Sequence, residues 1–354
     1  MPDEMENQND SQDVESPECI CVNCKKAPPE HGYITPLCID CRDALSKRFV
    51  PAWIKAVASV ITIVFIFALT RFPVTIDAAI AFERGKNAEK ASMYRTAVRE
   101  YEKAIERFPD STQIITRLYA AYWRNNDISK ATEIFDNRIV GRETENRAQF
   151  DEINKIANRI SFLYFGTEEF TKILESCNNA TPEKTIETLR PYVEKHPGET
   201  IPKYCLASSL YDVKNYDEVE KLMVKTIIDN PDFDSGSLLL AAVYREKDEF
   251  EKCISYCNRI LQRNLEDSSA YASMARTELK RHQDKTGLDL AVKAYQLASE
   301  DTYTIATLAI AYHYNNMIKE RGEMLALFKQ CKDAAGYKID FWQSVFDGQT
   351  EWRD

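Results

Sequence analysis

The chain has 354 residues, 44% hydrophobic and 29% charged, which is enough for about two domains and too apolar for a wholly disordered chain. Its net charge of −10 is uneven: residues 1–18 carry seven acids (Asp3, Glu4, Glu6, Asp10, Asp13, Glu15, Glu18) and no Lys or Arg, leaving −3 for the rest. A near-neutral body without a basic run excludes an electrostatic footprint for nucleic acid.

Residues 1–18 read by composition as a disordered acidic leader. Behind it, over 19–44, Cys21-Val-Asn-Cys24 and Cys38-Ile-Asp-Cys41 form two C-x2-C pairs separated by 13 residues. Each pair can make a knuckle offering two thiolates at about 2.3 Å from one Zn²⁺, and the Pro-, Gly- and Tyr-containing segment between them can loop back to close a tetrahedron. So short a segment cannot bury a useful core, so one structural zinc ion would supply its folding energy. Cys21, Cys24, Cys38 and Cys41 are the expected ligands, with Cys19 and His31 as substitutes. The pattern resembles the zinc-ribbon modules that begin many bacterial membrane proteins, two knuckles just ahead of a single span. A redox dithiol is the alternative use of these thiols.

From Phe49 to Arg71 the chain reads FVPAWIKAVASVITIVFIFALTR, with Ala56–Thr70 uncharged. That core spans about 22 Å as helix; the apolar residues before Lys55, whose ammonium can snorkel, extend it toward the roughly 30 Å of a bilayer. The expectation is a single membrane-spanning helix over 49–71, in contact with lipid. Arg42, Lys47, Arg48 and Lys55 on one flank against Arg71, Arg84 and Lys86 on the other lead to the expectation of an N-terminus in the cytoplasm and the remainder outside it; the resemblance to bacterial membrane proteins implies a bacterial inner membrane.

From about Ala78 apolar residues return at a period near 34. Gly85, Ala97, Tyr101, Ala104 and Pro109 fill the small, small, aromatic, small and proline positions of one unit. Leu118, Tyr122, Ala131 and Phe135 continue it; later units carry Leu206, Ala207 and Leu210, then Leu240, Ala241, Tyr244 and Cys253, then Met274, Ala275, Ala291 and Tyr295. Antiparallel helix pairs with small residues at the crossings explain this pattern. Residues 144–198 fit loosely and predict a distorted unit, and Ile339–Phe346 predicts a capping helix. Residues 76–348 therefore resemble the tetratricopeptide repeat family, which implies an all-α solenoid binding a protein or peptide along the groove formed by the first helix of each unit. Carried onto this sequence, the groove positions are Phe82, Lys86, Trp123, Arg124, Tyr204, Tyr211, Leu238, Arg245 and Arg276. The Lys and Asn set with which some relatives clamp a terminal carboxylate is missing.

No phosphate-binding, dinucleotide or H-E-x-x-H motif is present, and His31, His196, His282 and His313 lie far apart, so neither catalysis nor a small-molecule substrate has a foothold. Cys253 and Cys257 occupy helix-crossing positions and read as packing residues. The sequence thus predicts a non-enzymatic, membrane-tethered scaffold for a protein partner. The competing readings are a cytosol-facing client receptor of reversed topology and a thiol redox protein.

Overall fold

The computed structural model describes residues 20–47, 50–142, 147–331 and 339–353, with side chains set aside at 68–75. The acidic leader, Cys19 and Phe49 lie outside the described residues. The chain divides into two compact units, 1–72 and 73–354.

The first unit holds the cysteine segment, the short helix α1 (Ile39–Ser46) and the start of α2 (Ala52–Lys90). The span predicted over 49–71 is not supported. Among the described residues no helix is long and apolar enough to cross a membrane. The single-pass placement, its cytoplasmic N-terminus, the extracytoplasmic repeats and the lipid contact fall with it. Helix α2 extends over 39 residues.

The second unit is a stack of antiparallel helix pairs. After α2 come α3 (Tyr94–Arg107), α4 (Thr112–Arg124) and α5 (Ile128–Ile134), which ends in a π-helical turn at Phe135–Ile139. Three helices follow out of register: α6 (Arg147–Tyr164), α7 (Glu168–Ser176) and α8 (Pro182–Lys195). Then the pairs α9 (Thr200–Asp212) with α10 (Tyr216–Asp229), α11 (Asp234–Glu246) with α12 (Phe250–Arg263), α13 (Ser268–Lys280) with α14 (Asp284–Leu297), and α15 (Thr302–Tyr314) with α16 (Ile318–Gln330) each begin 34 residues after the one before. A last helix, α17 (Ile339–Phe346), closes the stack.

Local sequence sets these boundaries. Ser111, Asp267 and Asp301 accept a backbone N–H at the starts of α4, α13 and α15, supplying the bonds a first helical turn leaves open. Between the members of each regular pair one residue adopts positive φ at the same register: Lys214, Asp248, His282 and Asn316, as also Ser92 and Asn126 earlier. Ala207, Ala241, Ala275 and Ala309 have at most 1% of their surface exposed and recur at the middle of the first helices, where a small side chain lets two helix backbones approach. Cys253 and Cys257 are fully buried on the partner helix α12.

The stack curls back on itself. The Leu265 N–H donates to the Ser92 carbonyl at 2.9 Å. Beside it, Glu266 accepts from the Thr96 backbone N–H at 2.7 Å and from the Thr96 hydroxyl at 2.6 Å. The loop entering α13 therefore rests on the loop entering α3, 170 residues earlier. Helix α6 reinforces this seam: Arg159 pairs with Asp232, Nε to Oδ2 at 2.9 Å, and donates to Asn230 at 3.1 Å, while the Tyr164 ring meets Phe233 at 5.4 Å. Ile153, Ile156 and Ile160 of α6 join the apolar core of the first pairs and Leu163 joins the next, so this irregular helix carries the core across the break in register.

Two glycines give opposite expectations. A Cβ on Gly85 would stand 2.4 Å from the Tyr101 ring, whereas one on Gly322 in α16 meets nothing within 4 Å. Gly85→Ala should lower the free energy of unfolding by about 1–3 kcal/mol, steric overlap outweighing helix propensity. Gly322→Ala should raise it by about 0.5–1 kcal/mol. Urea unfolding followed by circular dichroism checks both; equal shifts would mean the first pair is not packed as described.

Candidate metal centre and peptide-binding surface

The four expected cysteines converge. The Sγ atoms of Cys21, Cys24, Cys38 and Cys41 all lie within 4.8 Å of one another, with Cys24 and Cys38 3.7 Å apart, close to the roughly 3.8 Å edge of a tetrahedron with 2.3 Å metal–sulfur bonds. The first pair sits in a tight turn in which Lys25 N–H bonds the Cys21 carbonyl at 3.0 Å. The second pair straddles the start of α1, Cys38 as its N-cap and Cys41 in its first turn. No strand occurs among the described residues of this segment, so the predicted ribbon is instead a turn and a helix that share a sulfur cluster.

The electrostatics suit a cation. Backbone N–H of Cys24 pulls the Cys21 thiol down to about 6. Cys38 receives a backbone N–H from Cys41 but is pushed up to about 12 by burial and the three surrounding sulfurs. Four sulfurs this close cannot all carry charge unless a metal neutralises them, and the set could hold one ion. Asn23 donates to the Cys41 sulfur at 3.3 Å, and Arg42 lies 2.9 Å from Glu30, donates to the Thr35 carbonyl at 3.1 Å and covers the Tyr33 ring at 3.6 Å. Arg42 thus folds the segment between the pairs, a role its neighbours in sequence did not reveal. His31 is not part of the cluster.

The nine groove positions do not form one surface. Trp123 and Arg124, at the end of α4, line a cavity of about 370 Å³ together with Tyr94, Tyr164, Asp234 and Arg263. A second cavity of about 550 Å³ opens on their other side, toward Lys155, Arg159 and Phe162. Phe82 lines a separate one with Phe108, and Lys86 is held at 2.8 Å by Glu83. Tyr204 packs on Phe233 at 5.5 Å, Tyr211 on Tyr216 at 5.4 Å, and Leu238 is half-buried in the same core.

Arg245 and Arg276 depart furthest from the expectation, with 5% and 7% of their surface exposed. Arg245 pairs with Glu246 at 3.1 Å; Arg276 donates to the Thr307 hydroxyl at 2.8 Å and lies 4.2 Å from the Tyr303 ring. Arg276 thereby ties α13 to the next first helix, α15, while Arg245 is paired within α11. The nearby Cys253 thiol is drawn down to about 6, chiefly by its bond with Cys257 and also by Arg245, but burial denies it access to any substrate.

Sequence reasoning missed Tyr94, Tyr164, Asp232, Asp234 and Arg263. Burial pushes the Asp234 carboxyl up to about 6 although Arg263 is in direct contact with it. Arg159 has the opposite effect on Asp232: it outweighs burial and holds that carboxyl below its usual value. Tyr164 donates to Asn126 at 2.9 Å and meets Trp123 edge-on at 6.1 Å. No local signal marks these residues, since only the seam brings 92–94 and 124 beside 232–234 and 263.

No protein-family model matches the sequence. Among solved structures, the chain is similar to MamA from Desulfovibrio magneticus RS-1, at 15% identity over 48% of this chain and 96% of that one, with a TM-score of 0.36. It is also similar to YrrB, described as a tetratricopeptide repeat protein with an unusual peptide-binding site, at 16% identity over 47% and 87% with a TM-score of 0.31. Yeast Tom70 aligns at 12% identity over 77% of this chain and 66% of its own, with a TM-score of 0.38.

Proposed function

We propose that the chain is a non-enzymatic scaffold that binds a segment of a protein partner at Trp123 and Arg124, with the cysteine segment as a separate structural zinc module. One observation carries the first part. Among the nine expected groove residues, this adjacent pair lines two cavities, with an exposed guanidinium beside partly buried rings. That combination of an anchor ring and a free charge is what recognition of an extended peptide uses. A photo-crosslinking residue in place of the exposed Lys155, which lines the second cavity beside Trp123 and Arg124, should capture a partner that the same residue at Lys285, on the exposed side of α14, does not. The same species from both positions, or none from 155, would contradict the assignment.

The zinc reading rests on the convergence of four sulfurs within 4.8 Å of one another and on the small apolar content of the segment. Purified protein should carry about one Zn²⁺ per chain. A strong chelator should unfold residues 20–47, seen as loss of dispersion in their NMR signals, with the helical circular dichroism of the second unit kept. Metal-free protein in which that segment stays folded, with thiols cycling to disulfides, would favour the redox reading instead.

A further inference from the structure

Charge pairing in the Trp123 cavity is uneven. Asp232 is engaged by Arg159 and Asp234 by Arg263, so both carboxylates already have a cation. Arg124 has no such partner among the described residues. Its guanidinium donates to the Tyr94 hydroxyl at 3.1 Å and lies 5.6 Å from that ring. The hydroxyl, having accepted from Arg124, keeps its own proton for another acceptor. Asn126, a neutral acceptor in the same lining, is already bonded by Tyr164. The lining itself carries Arg124 and Arg263 against Asp232 and Asp234, but Arg159 attends Asp232 from outside it, so among the described residues Arg124 is left as the cation without a carboxylate, beside the Tyr94 hydroxyl proton and with Trp123 as an apolar wall.

From this we infer that the occupant is an acidic peptide segment of a partner protein. One Asp or Glu carboxylate is received by the Arg124 guanidinium and the Tyr94 hydroxyl, and a neighbouring apolar side chain lies on Trp123. The inference rests on the scaffold reading above and specifies its ligand. A charge-assisted pair of this kind in a half-enclosed cavity is stronger than one in open water. The walls come from both sides of the seam, Tyr94 and Arg124 from one and Asp234 and Arg263 from the other. Glu266, which holds Thr96, is one of the contacts that keep these walls together, so it is a positioning residue.

Selection of displayed random peptides of about 12 residues on the intact protein tests this. The selected peptides should be enriched in Asp and Glu next to apolar residues. For a synthesised winner, Arg124→Gln should raise Kd about tenfold or more and Tyr94→Phe several-fold. Arg124→Lys should restore part of the affinity, and Glu266→Ala should weaken binding while the far-UV spectrum is unchanged. Peptides rich in Lys or Arg, or an unchanged Kd in Arg124→Gln, overturn the acidic ligand and leave the scaffold reading standing. Selection of no peptide at all overturns both.

Discussion

Everything in the repeat unit depends on how closely two helices can cross. Ala207, Ala241, Ala275 and Ala309 stand with almost no exposed surface at one position of successive first helices, and Gly85 occupies the corresponding place in α2. A methyl group or less at the crossing keeps paired helices near one another, and repeating that spacing fixes a nearly constant rotation from pair to pair. Where the partner side chain is large the crossing residue must shrink further, which is why Gly85 faces Tyr101 at a distance that admits no Cβ. Tyr101 then uses its hydroxyl to bind Glu89, which also holds Arg117 of α4 at 2.7 Å. Small residues thus make the crossings, and buried polar chains tie one pair to the next.

Constant rotation, interrupted once by α6 to α8, brings the loop at 264–267 onto the loop at 92–96. Closure has two consequences that no single repeat would show. Arg245 and Arg276, which a more open stack would present to a ligand, are buried, Arg276 against Thr307 of the next first helix and Arg245 beside Glu246 of its own. In exchange, residues from opposite ends of the turn assemble a cavity around Trp123. The acids Asp232 and Asp234 begin a regular helix pair, yet they serve as partners for Arg159 of the irregular helix and Arg263. The irregular unit is therefore where the stack is sealed.

Much of this architecture was legible in the sequence, for a physical reason. The period of 34 and the small residues at crossings are local requirements that every unit must meet, so they repeat and can be counted. The paired C-x2-C spacing is equally local, and the sulfurs do converge. What could not be read were properties of distance. Whether a side chain on a first helix faces an open groove depends on curvature summed over several pairs, and the contact between Thr96 and Glu266 spans 170 residues with no pattern announcing it. The apolar run before residue 71 misled for a different reason: its composition suggests a bilayer span, whereas among the described residues no helix is long and apolar enough to cross a membrane. The absence of strands between the cysteine pairs was likewise invisible, because two knuckles alone do not specify what connects them.

The closed seam is the claim on which the cavity, the buried arginines and the ligand reading all rest. Its most direct test is amide hydrogen exchange at Leu265, a loop residue whose side chain is half exposed and whose N–H bonds to the carbonyl of Ser92. If the turn is closed in solution, this amide exchanges about 100-fold or more slowly than an unstructured one, and the protection disappears in Glu266→Ala while the helical amides of α12 and α13 keep theirs. Exchange at the free-loop rate in the unaltered protein would mean that the stack is open, and the cavity at Trp123 would lose one of its walls.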